Sequence, residues 1–156
     1  MVAPACLNLQ NEHGLDVNLI LFCCWHGAVH GELSSALLEK ASNYSISWRE
    51  NLVQPLRSAR IWMKSAKTDD LTASPGYEAL RQQIKAVELA AEKMQQSVLQ
   101  DMVLESGYGG IAANPESAIR GNLKSLLELT NTVATPAVDQ SLTILIKASL
   151  ASSEAP

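Results

Sequence analysis

This chain must fold around the stretch Gly14-Leu15-Asp16-Val17-Asn18-Leu19-Ile20-Leu21-Phe22-Cys23-Cys24-Trp25. A turn glycine and an aspartate are followed closely there by seven consecutive apolar residues. Asp16 is well placed to accept hydrogen bonds from the first amide groups of a helix. That helix, over about residues 17–29, would be apolar on nearly every side, which predicts a central and buried position. A buried strand is the competing interpretation of an apolar run this short.

Helical signals dominate the rest of the chain, and the alternation of apolar and polar residues that marks strands is nearly absent. Ser74-Pro75, Asn114-Pro115 and Thr135-Pro136 each have the form of a cap followed by a first-turn proline. Ser47-Trp48-Arg49-Glu50 has the form of a capping box, and Pro55 inside the helix after it predicts a kink or a break. We expect helices over about 4–13, 17–29, 32–43, 47–66, 74–105 and 114–131, with a last one opened at 135.

These elements predict an all-α fold, a single-domain bundle of about six or seven helices with one long helix. A chain of 156 residues is the size of one domain and can bury a substantial core. We expect residues 1–151 to form that domain and residues 152–156 to fray as a tail. The alternative is two sub-bundles hinged at the glycine-rich segment 106–110.

The long helix carries apolar residues at a 4-3-4-3-4 spacing, which is typical of a seam between packed helices. Packing against a neighbour within the same chain is the first interpretation, because helices of small bundles often carry such seams. A homodimer through the 80–98 helix seam is the alternative. The seam residues are Leu80, Ile84, Val87, Ala91, Met94 and Val98.

Composition narrows the class of protein. Apolar residues make up 47% of the chain and charged residues 18%, which excludes disorder, and no apolar run approaches the ~18 residues that span a bilayer. A net charge of −4 argues against bulk binding to nucleic acid. The first basic residue is Lys40, so we expect no signal peptide, no membrane contact and a cytoplasmic location.

Cys23, His26 and His30 are spaced i, i+3, i+7, which would place three metal-ligating groups on one helical face. We expect Gly27 and Gly31 to end the helix before His30 can align with the other two. The chain also lacks the paired cysteine and histidine spacing of structural zinc sites. The sequence therefore predicts no metal site.

The three cysteines are Cys6, Cys23 and Cys24, too few for a disulfide framework and suited to a reducing compartment. Burial of Cys23 and Cys24 would raise their thiol pKa values and lower their reactivity, and Cys6 has no identifiable base. No phosphate-binding glycine loop and no nucleophile elbow occur. We therefore expect no cofactor and identify no catalytic constellation.

Two sets of residues are candidates for binding. Asp16 and Asn18 could orient a ligand in a polar pocket that also includes His26 and Arg57, although capping alone accounts for Asp16. A basic stripe on the helix after residue 47 is the candidate for binding a partner's acidic surface or phosphates. Its members, spaced i, i+3, i+7 and i+10, are Arg57, Arg60, Lys64 and Lys67.

The basic stripe has three further interpretations. It could be an ordinary solvated face, because charge runs usually serve solubility. It could instead pair with Glu88 and Glu92 of the long helix. Arg57 could also bury its guanidinium against Asp16 as a structural ion pair.

Two segments resemble a known family. They are Cys6-Leu7-x-Leu9-Gln10-x-Glu12-x-Gly14-Leu15-Asp16-Val17-Asn18-Leu19-x-Leu21-Phe22-Cys23-x-Trp25 and the Trp48–Arg60 segment with its Pro55-Leu56-Arg57-x-x-Arg60 core. The pattern resembles an uncharacterised proteobacterial family of short proteins, a domain of unknown function. The position of His26 is usually apolar in that family, so this sequence departs from the pattern there. The resemblance implies no activity.

The sequence leaves the function unknown and favours a small cytosolic helical protein that acts by interaction or regulation, without catalysis, on an unidentified protein partner. One alternative is a small-molecule or metal-binding protein, including an enzyme, with the polar pocket near Asp16. The other is phosphate or nucleic-acid binding through the basic stripe, which the acidic net charge makes least favoured.

Overall fold

A computed structural model of the chain describes residues 2–65, 74–107 and 110–153, and these residues form α-helices and no strand. This confirms the prediction of an all-α bundle. The helices are α1 (Val2–Asn11), α2 (Val17–Val29), α3 (Ser35–Trp48), α4 (Gln54–Ser65), α5 (Tyr77–Glu105), α6 (Pro115–Leu129) and α7 (Pro136–Ser153), with a π-helical turn (Arg49–Val53) between α3 and α4.

Helix α2 is the buried centre of the fold, as predicted. Asp16 caps it: the carboxylate Oδ1 accepts hydrogen bonds from the amides of Asn18 at 2.9 Å and Leu19 at 3.3 Å. Helices α1, α3, α5, α6 and α7 all contact α2. Gly27 was expected to end the helix, but α2 continues to Val29, and Gly31, at φ +97°, lies in the turn that follows.

The contact between α2 and α6 is made at backbone distance. A Cβ atom placed on Gly27 would lie 2.7 Å from both the Cα and the amide nitrogen of Ile119, so no side chain fits between the two helices. Asn122 of α6 adds hydrogen bonds: its Oδ1 accepts from the amide of Leu33 at 2.7 Å, and its Nδ2 donates to the carbonyl oxygens of Cys23 and Gly31 at 3.2 Å each. These bonds fix the α2–α3 turn against α6.

Residues 35–65 form one continuous helical run, so the prediction of a new helix at the capping box is wrong. Ser34, not Glu32, marks the start of α3, and its hydroxyl accepts from the amide of Leu37 at 3.2 Å. Ser47 lies inside α3. Pro55 follows the π-helical turn, in which the amide of Gln54 donates to the carbonyl of Arg49. The wider turn gives room to the proline ring. In a regular α-helix this ring clashes with the carbonyl group four residues earlier and kinks or breaks the helix.

Helix α5 has 29 residues and is about 43 Å long at 1.5 Å per residue. It ends at Glu105 as expected, but its cap is Gly76, at φ +93°, and not Ser74. The other two cap predictions are confirmed: Asn114 accepts from the amide of Ser117 at 3.1 Å, and Thr135 accepts from the amide of Val138 at 3.3 Å.

The last helix extends two residues into the segment 152–156 that is predicted as a tail. Helix α7 continues to Ser153, and the Ser152 hydroxyl donates to the Ala148 carbonyl at 3.0 Å. Residues 154–156 lie outside the described residues.

One core spans the chain on both sides of the glycine-rich segment 106–110, which excludes the two-sub-bundle alternative. Leu99 and Val103 of α5 lie in the same apolar cluster as Ile119 and Leu123 of α6. Residues 108 and 109 of that segment lie outside the described residues. Among the helices described, none combines the length and the apolar character that crossing a membrane requires.

Helix α4 lies apart from this core. Among the described elements it contacts α5 and the π-helical turn alone. We refer to α4 together with residues 77–94 of α5 as the arm. The hydroxyl of Tyr77 donates to the carbonyl of Met63 at 2.9 Å, which fixes the two helices of the arm to each other.

Candidate functional site

Asp16 and Asn18, the predicted polar pocket, are held together by Gln95 of α5. Gln95 Nε2 donates to Asp16 Oδ2 at 2.8 Å, and Gln95 Oε1 accepts from Asn18 Nδ2 at 2.9 Å. Gln96 Nε2 adds a bond of 2.9 Å to Asn18 Oδ1. The polar atoms of both residues are therefore engaged within the protein, and they attach the start of α2 to α5.

The other two residues predicted for that pocket lie elsewhere. His26 is fully buried about two turns further along α2, where its Nδ1 lies 3.0 Å from the Gly31 carbonyl oxygen. Arg57 does not reach Asp16. It pairs instead with Glu88 and Glu92 at 3.1 and 3.7 Å.

A cavity of about 320 Å³ opens beside Asp16. It lies between the α1–α2 turn, helix α3 and the C-terminal end of α6. Ser45 of α3 and Arg49 of the π-helical turn line it, together with His13 of the turn before α2 and Thr132 beyond α6. The sequence predictions singled out neither Ser45 nor Arg49 as a binding residue. Their one signal was the i, i+4 spacing, which places them on the same helical face.

The histidines of the predicted metal triad have other contacts. The rings of His26 and His30 lie 5.3 Å apart, and His30 also packs edge-on against Trp25 at 5.3 Å. His30 Nδ1 lies 3.3 Å from the carbonyl oxygen of Gly110. Burial lowers the pKa of His26, which favours its neutral form. Within residues 2–65, 74–107 and 110–153, no three His, Cys, Asp or Glu side chains are placed to hold a metal ion.

The cysteines are three free thiols in the structure, two of them buried. Burial raises the pKa of Cys24 to about 11, an effect that a hydrogen bond from Ser149 partly opposes. Burial also raises the pKa of Cys23, with a smaller effect from the neighbouring Cys24. Since the thiolate is the nucleophile, both thiols are poorly suited to covalent chemistry at neutral pH.

The basic stripe meets acidic residues of α5 inside the arm. Arg57 Nε donates to Glu88 Oε1 at 3.1 Å, and Arg60 Nη2 donates to the same oxygen at 3.0 Å. The solvent-exposed fraction of the side chain is 16% for Arg57, 22% for Arg60 and 6% for Glu88. Lys64 is exposed, and Lys67 lies outside the described residues.

The two acidic partners respond differently to this environment. Burial alone would raise the pKa of Glu88, but the hydrogen bonds and charges of Arg60 and Arg57 outweigh it, so the pKa lies below its usual value. Burial dominates at Glu92 and raises its pKa, against the smaller effect of Arg57. The hydrogen bond to Glu88 correspondingly raises the pKa of Arg60. Glu88 is therefore the charged centre of the arm.

The apolar seam predicted on α5 is divided between the interior and the surface. Ala91 is buried, and Ile84 and Val98 are partly buried. Three seam residues face outward instead, with 50%, 52% and 54% of their surface exposed: Leu80, Val87 and Met94. We refer to these three residues as the outer seam.

On the inward side of α5, polar residues lie where apolar side chains would be expected. They are Glu88 and Gln95, which are both buried. Sequence reasoning proposed Glu88 only as an alternative partner of the stripe and missed Gln95, because hydrophobic spacing assigns polar residues to the outside.

Residues 1–99, from α1 to the second half of α5, match a family model described as Protein of unknown function (DUF2390). This confirms the resemblance to an uncharacterised family. No curated protein and no solved structure matches the chain.

Proposed function

Because the chain belongs to the DUF2390 family of proteins of unknown function, we propose its function from its own geometry: it is a helical interaction protein without catalytic activity. It acts as a homodimer, in which the arm of one copy packs against the arm of the second. The observation that carries this proposal is the outer seam, three large apolar residues in one row on a helix surface.

The chemistry of the outer seam supports a helical partner. Leu80, Val87 and Met94 repeat every seven residues, which is the spacing of a helix–helix contact surface. Gln83, Ala90 and Ser97 follow them three residues later, are exposed and carry no charge. An exposed helix face is normally charged or polar, and small residues beside a seam let a second helix approach closely.

The symmetry of the outer seam favours a second copy of this chain as that partner. Val87 lies at its centre, with Leu80 and Met94 seven residues to either side. In an antiparallel pair with two-fold symmetry, Val87 would meet Val87, and Leu80 would meet Met94 of the second copy. Such a contact is self-complementary and closes after two copies, as the commonest homodimer interfaces do.

The ion pairs within the arm support this surface over a phosphate-binding one. Arg57 and Arg60 are committed to Glu88, so they offer little charge for nucleic acid, whose binding depends on unpaired basic groups. In the proposed dimer the two arginines stiffen the arm. Lys64, at the edge of the arm, is the described member of the stripe whose side chain is free. The outer seam then remains as the apolar surface that the arm presents to the partner.

The proposal includes a cytoplasmic location for the protein. Three free thiols, including the adjacent Cys23 and Cys24, suit a compartment that keeps cysteines reduced. We also propose that residues 1–151 fold as one unit, since α2 contacts helices from both halves of the chain.

Sedimentation velocity of the wild type and of Val87→Glu tests the dimer. We expect the wild type to sediment as a dimer and Val87→Glu as a folded monomer, because each copy would bury a glutamate against its equivalent. The matched control is Val133→Glu, which changes a valine that is 75% exposed between α6 and α7 and should leave the dimer intact. A wild type that stays monomeric as its concentration rises, or a Val87→Glu variant that dimerises as well as the wild type, contradicts the proposal.

A further inference from the structure

We propose that the cavity beside Asp16 binds a small organic carboxylate with a polar atom at the end opposite the carboxylate. The carboxylate would lie against Arg49, and the opposite end would reach the hydroxyl of Ser45. This site lies outside the arm, and the proposal does not depend on the dimer.

Ser45 is the first sign of a missing ligand. Its side chain is fully buried, it lines the cavity, and its Oγ has no hydrogen-bond partner. A buried hydroxyl without a partner is unfavourable, and most such groups in folded proteins are satisfied. A polar atom inside the cavity would satisfy this one.

Arg49 is the second sign. Its Nη1 donates to the carbonyl oxygen of Gly14 at 2.9 Å, which holds the guanidinium at the rim of the cavity. No acidic side chain of the described residues forms an ion pair with it. A guanidinium has five donors and matches a carboxylate in two parallel hydrogen bonds, so Arg49 retains donors for an anion.

The wall supplies an apolar surface between these two groups. Leu15, Leu19 and Ile20 line the cavity on one side and Leu126 lines it on another, and all four are buried. Asp16 also borders the cavity, but both of its oxygens accept hydrogen bonds from residues of α2 and α5. Its negative charge lies at the positive N-terminal end of α2, which reduces its effect on a bound anion.

The spacing of Ser45 and Arg49 sets the size of the ligand. Ser45 lies near the end of α3 and Arg49 begins the π-helical turn that continues it, with about 6 Å between their Cβ atoms. A compact molecule with two polar ends fits this distance better than a long chain does. The volume of about 320 Å³ lies at the lower end of small-molecule sites.

Three compounds of one shape test the site. 4-Hydroxybenzoate has both polar ends, benzoate lacks the hydroxyl, and 4-hydroxybenzamide lacks the charge. Isothermal titration calorimetry should give the tightest binding for 4-hydroxybenzoate. Loss of the charge should weaken binding at least about tenfold, as expected for a charge-assisted hydrogen bond.

Two variants assign the contacts. Arg49→Gln should weaken 4-hydroxybenzoate binding at least about tenfold. Ser45→Ala should bring 4-hydroxybenzoate down to the affinity of benzoate and leave benzoate binding unchanged. Circular dichroism checks that both variants fold, and Arg120→Gln, at a surface ion pair with Glu116, is the control that should bind as the wild type does.

The outcomes are decisive in both directions. A preference for 4-hydroxybenzoate over 4-hydroxybenzamide that Arg49→Gln abolishes, and a preference over benzoate that Ser45→Ala abolishes, support the site. No saturable binding of 4-hydroxybenzoate, or binding that Arg49→Gln leaves unchanged, overturns it.

Discussion

Gly27 of α2 lies against the backbone of Ile119 of α6, so closely that a Cβ atom on Gly27 would stand 2.7 Å from the Ile119 Cα. Glycine normally weakens a helix interior relative to alanine. Here it allows the buried central helix to approach its neighbour without a side chain between them. The contact explains a glycine within the last turn of α2, where the sequence suggested that the helix had already ended.

Gly27→Ala should destabilise the protein, because its methyl group would displace backbone atoms of α6 in a closely packed core. We expect a loss of about 1–3 kcal/mol, the usual cost of overpacking, measured by urea unfolding. Gly121→Ala is the matched control. A Cβ atom there would meet only Glu32 Oε1, at 3.8 Å, so this variant should gain a few tenths to about 1 kcal/mol from helix propensity. Equal effects of the two substitutions would refute the close contact.

Glu88→Gln should destabilise the arm, since it leaves Arg57 and Arg60 without their shared carboxylate. Removing one partner of a buried ion pair costs about 3–5 kcal/mol, and we expect about 2–3 kcal/mol here because the arginines reach solvent. Glu78→Gln removes the partner of Arg81 on the same helix, but the Glu78 side chain is 63% exposed. Its effect should be clearly smaller than that of Glu88→Gln, because water screens an exposed ion pair. The free energy of unfolding in urea measures both.

Acid should weaken the arm through the same carboxylate. The pKa of Glu88 is lowered in the folded protein, so its stabilisation is fully present above the ordinary carboxyl pKa of about 4.3. That stabilisation is lost as the pH falls through the folded value. The difference in unfolding free energy between the wild type and Glu88→Gln should therefore shrink between pH 5 and pH 3. A difference that stays constant with pH would contradict the assignment.

Glu92 should show the opposite sign. Burial raises its pKa in the folded protein, so its contribution to stability is fully present below the ordinary carboxyl pKa and lost as the pH rises through the folded value. Glu92→Gln should therefore be neutral or slightly stabilising at pH 7. Urea unfolding at that pH measures it. A loss as large as that of Glu88→Gln would show that Glu92, too, is a needed charge of the arm.

The thiols should differ in reactivity. Cys6 is partly exposed, whereas Cys23 and Cys24 are buried, with the pKa of Cys24 raised to about 11. We expect Cys6 alone to react readily with Ellman's reagent at pH 8 in the folded protein, and all three cysteines to react in denaturant. Rapid reaction of Cys23 or Cys24 in the folded protein would contradict this prediction and would support a nucleophilic cysteine.

Local signals predicted α2, because the Asp16 cap and the apolar run act within a few residues of each other. The start of a helix at Ser47 was wrong because tertiary contacts override a local cap signal. The indole of Trp48 donates to the Ala91 carbonyl at 3.0 Å, and this bond holds the end of α3 against α5. No sequence pattern near Ser47 indicates this hydrogen bond.

The candidate sites were predictable only in part. Spacing showed that Arg57 and Arg60 share a face, but which face lies inward depends on Glu88, 28 residues beyond Arg60. The cavity depends on three segments that meet only in the folded chain. Ser45 and Arg49 therefore carried no recognisable signature, and their roles follow from burial and hydrogen bonding.

Disulfide trapping at the outer seam tests the proposed dimer most directly. In a Cys6→Ser background, Val87→Cys should form a covalent dimer under mild oxidation, because the two copies meet at this residue. Leu80→Cys and Met94→Cys should each remain monomeric alone and cross-link when mixed. Cross-linking of all three single variants would show a parallel pair, and no cross-linking at residue 87 would contradict an arm that pairs with its own copy.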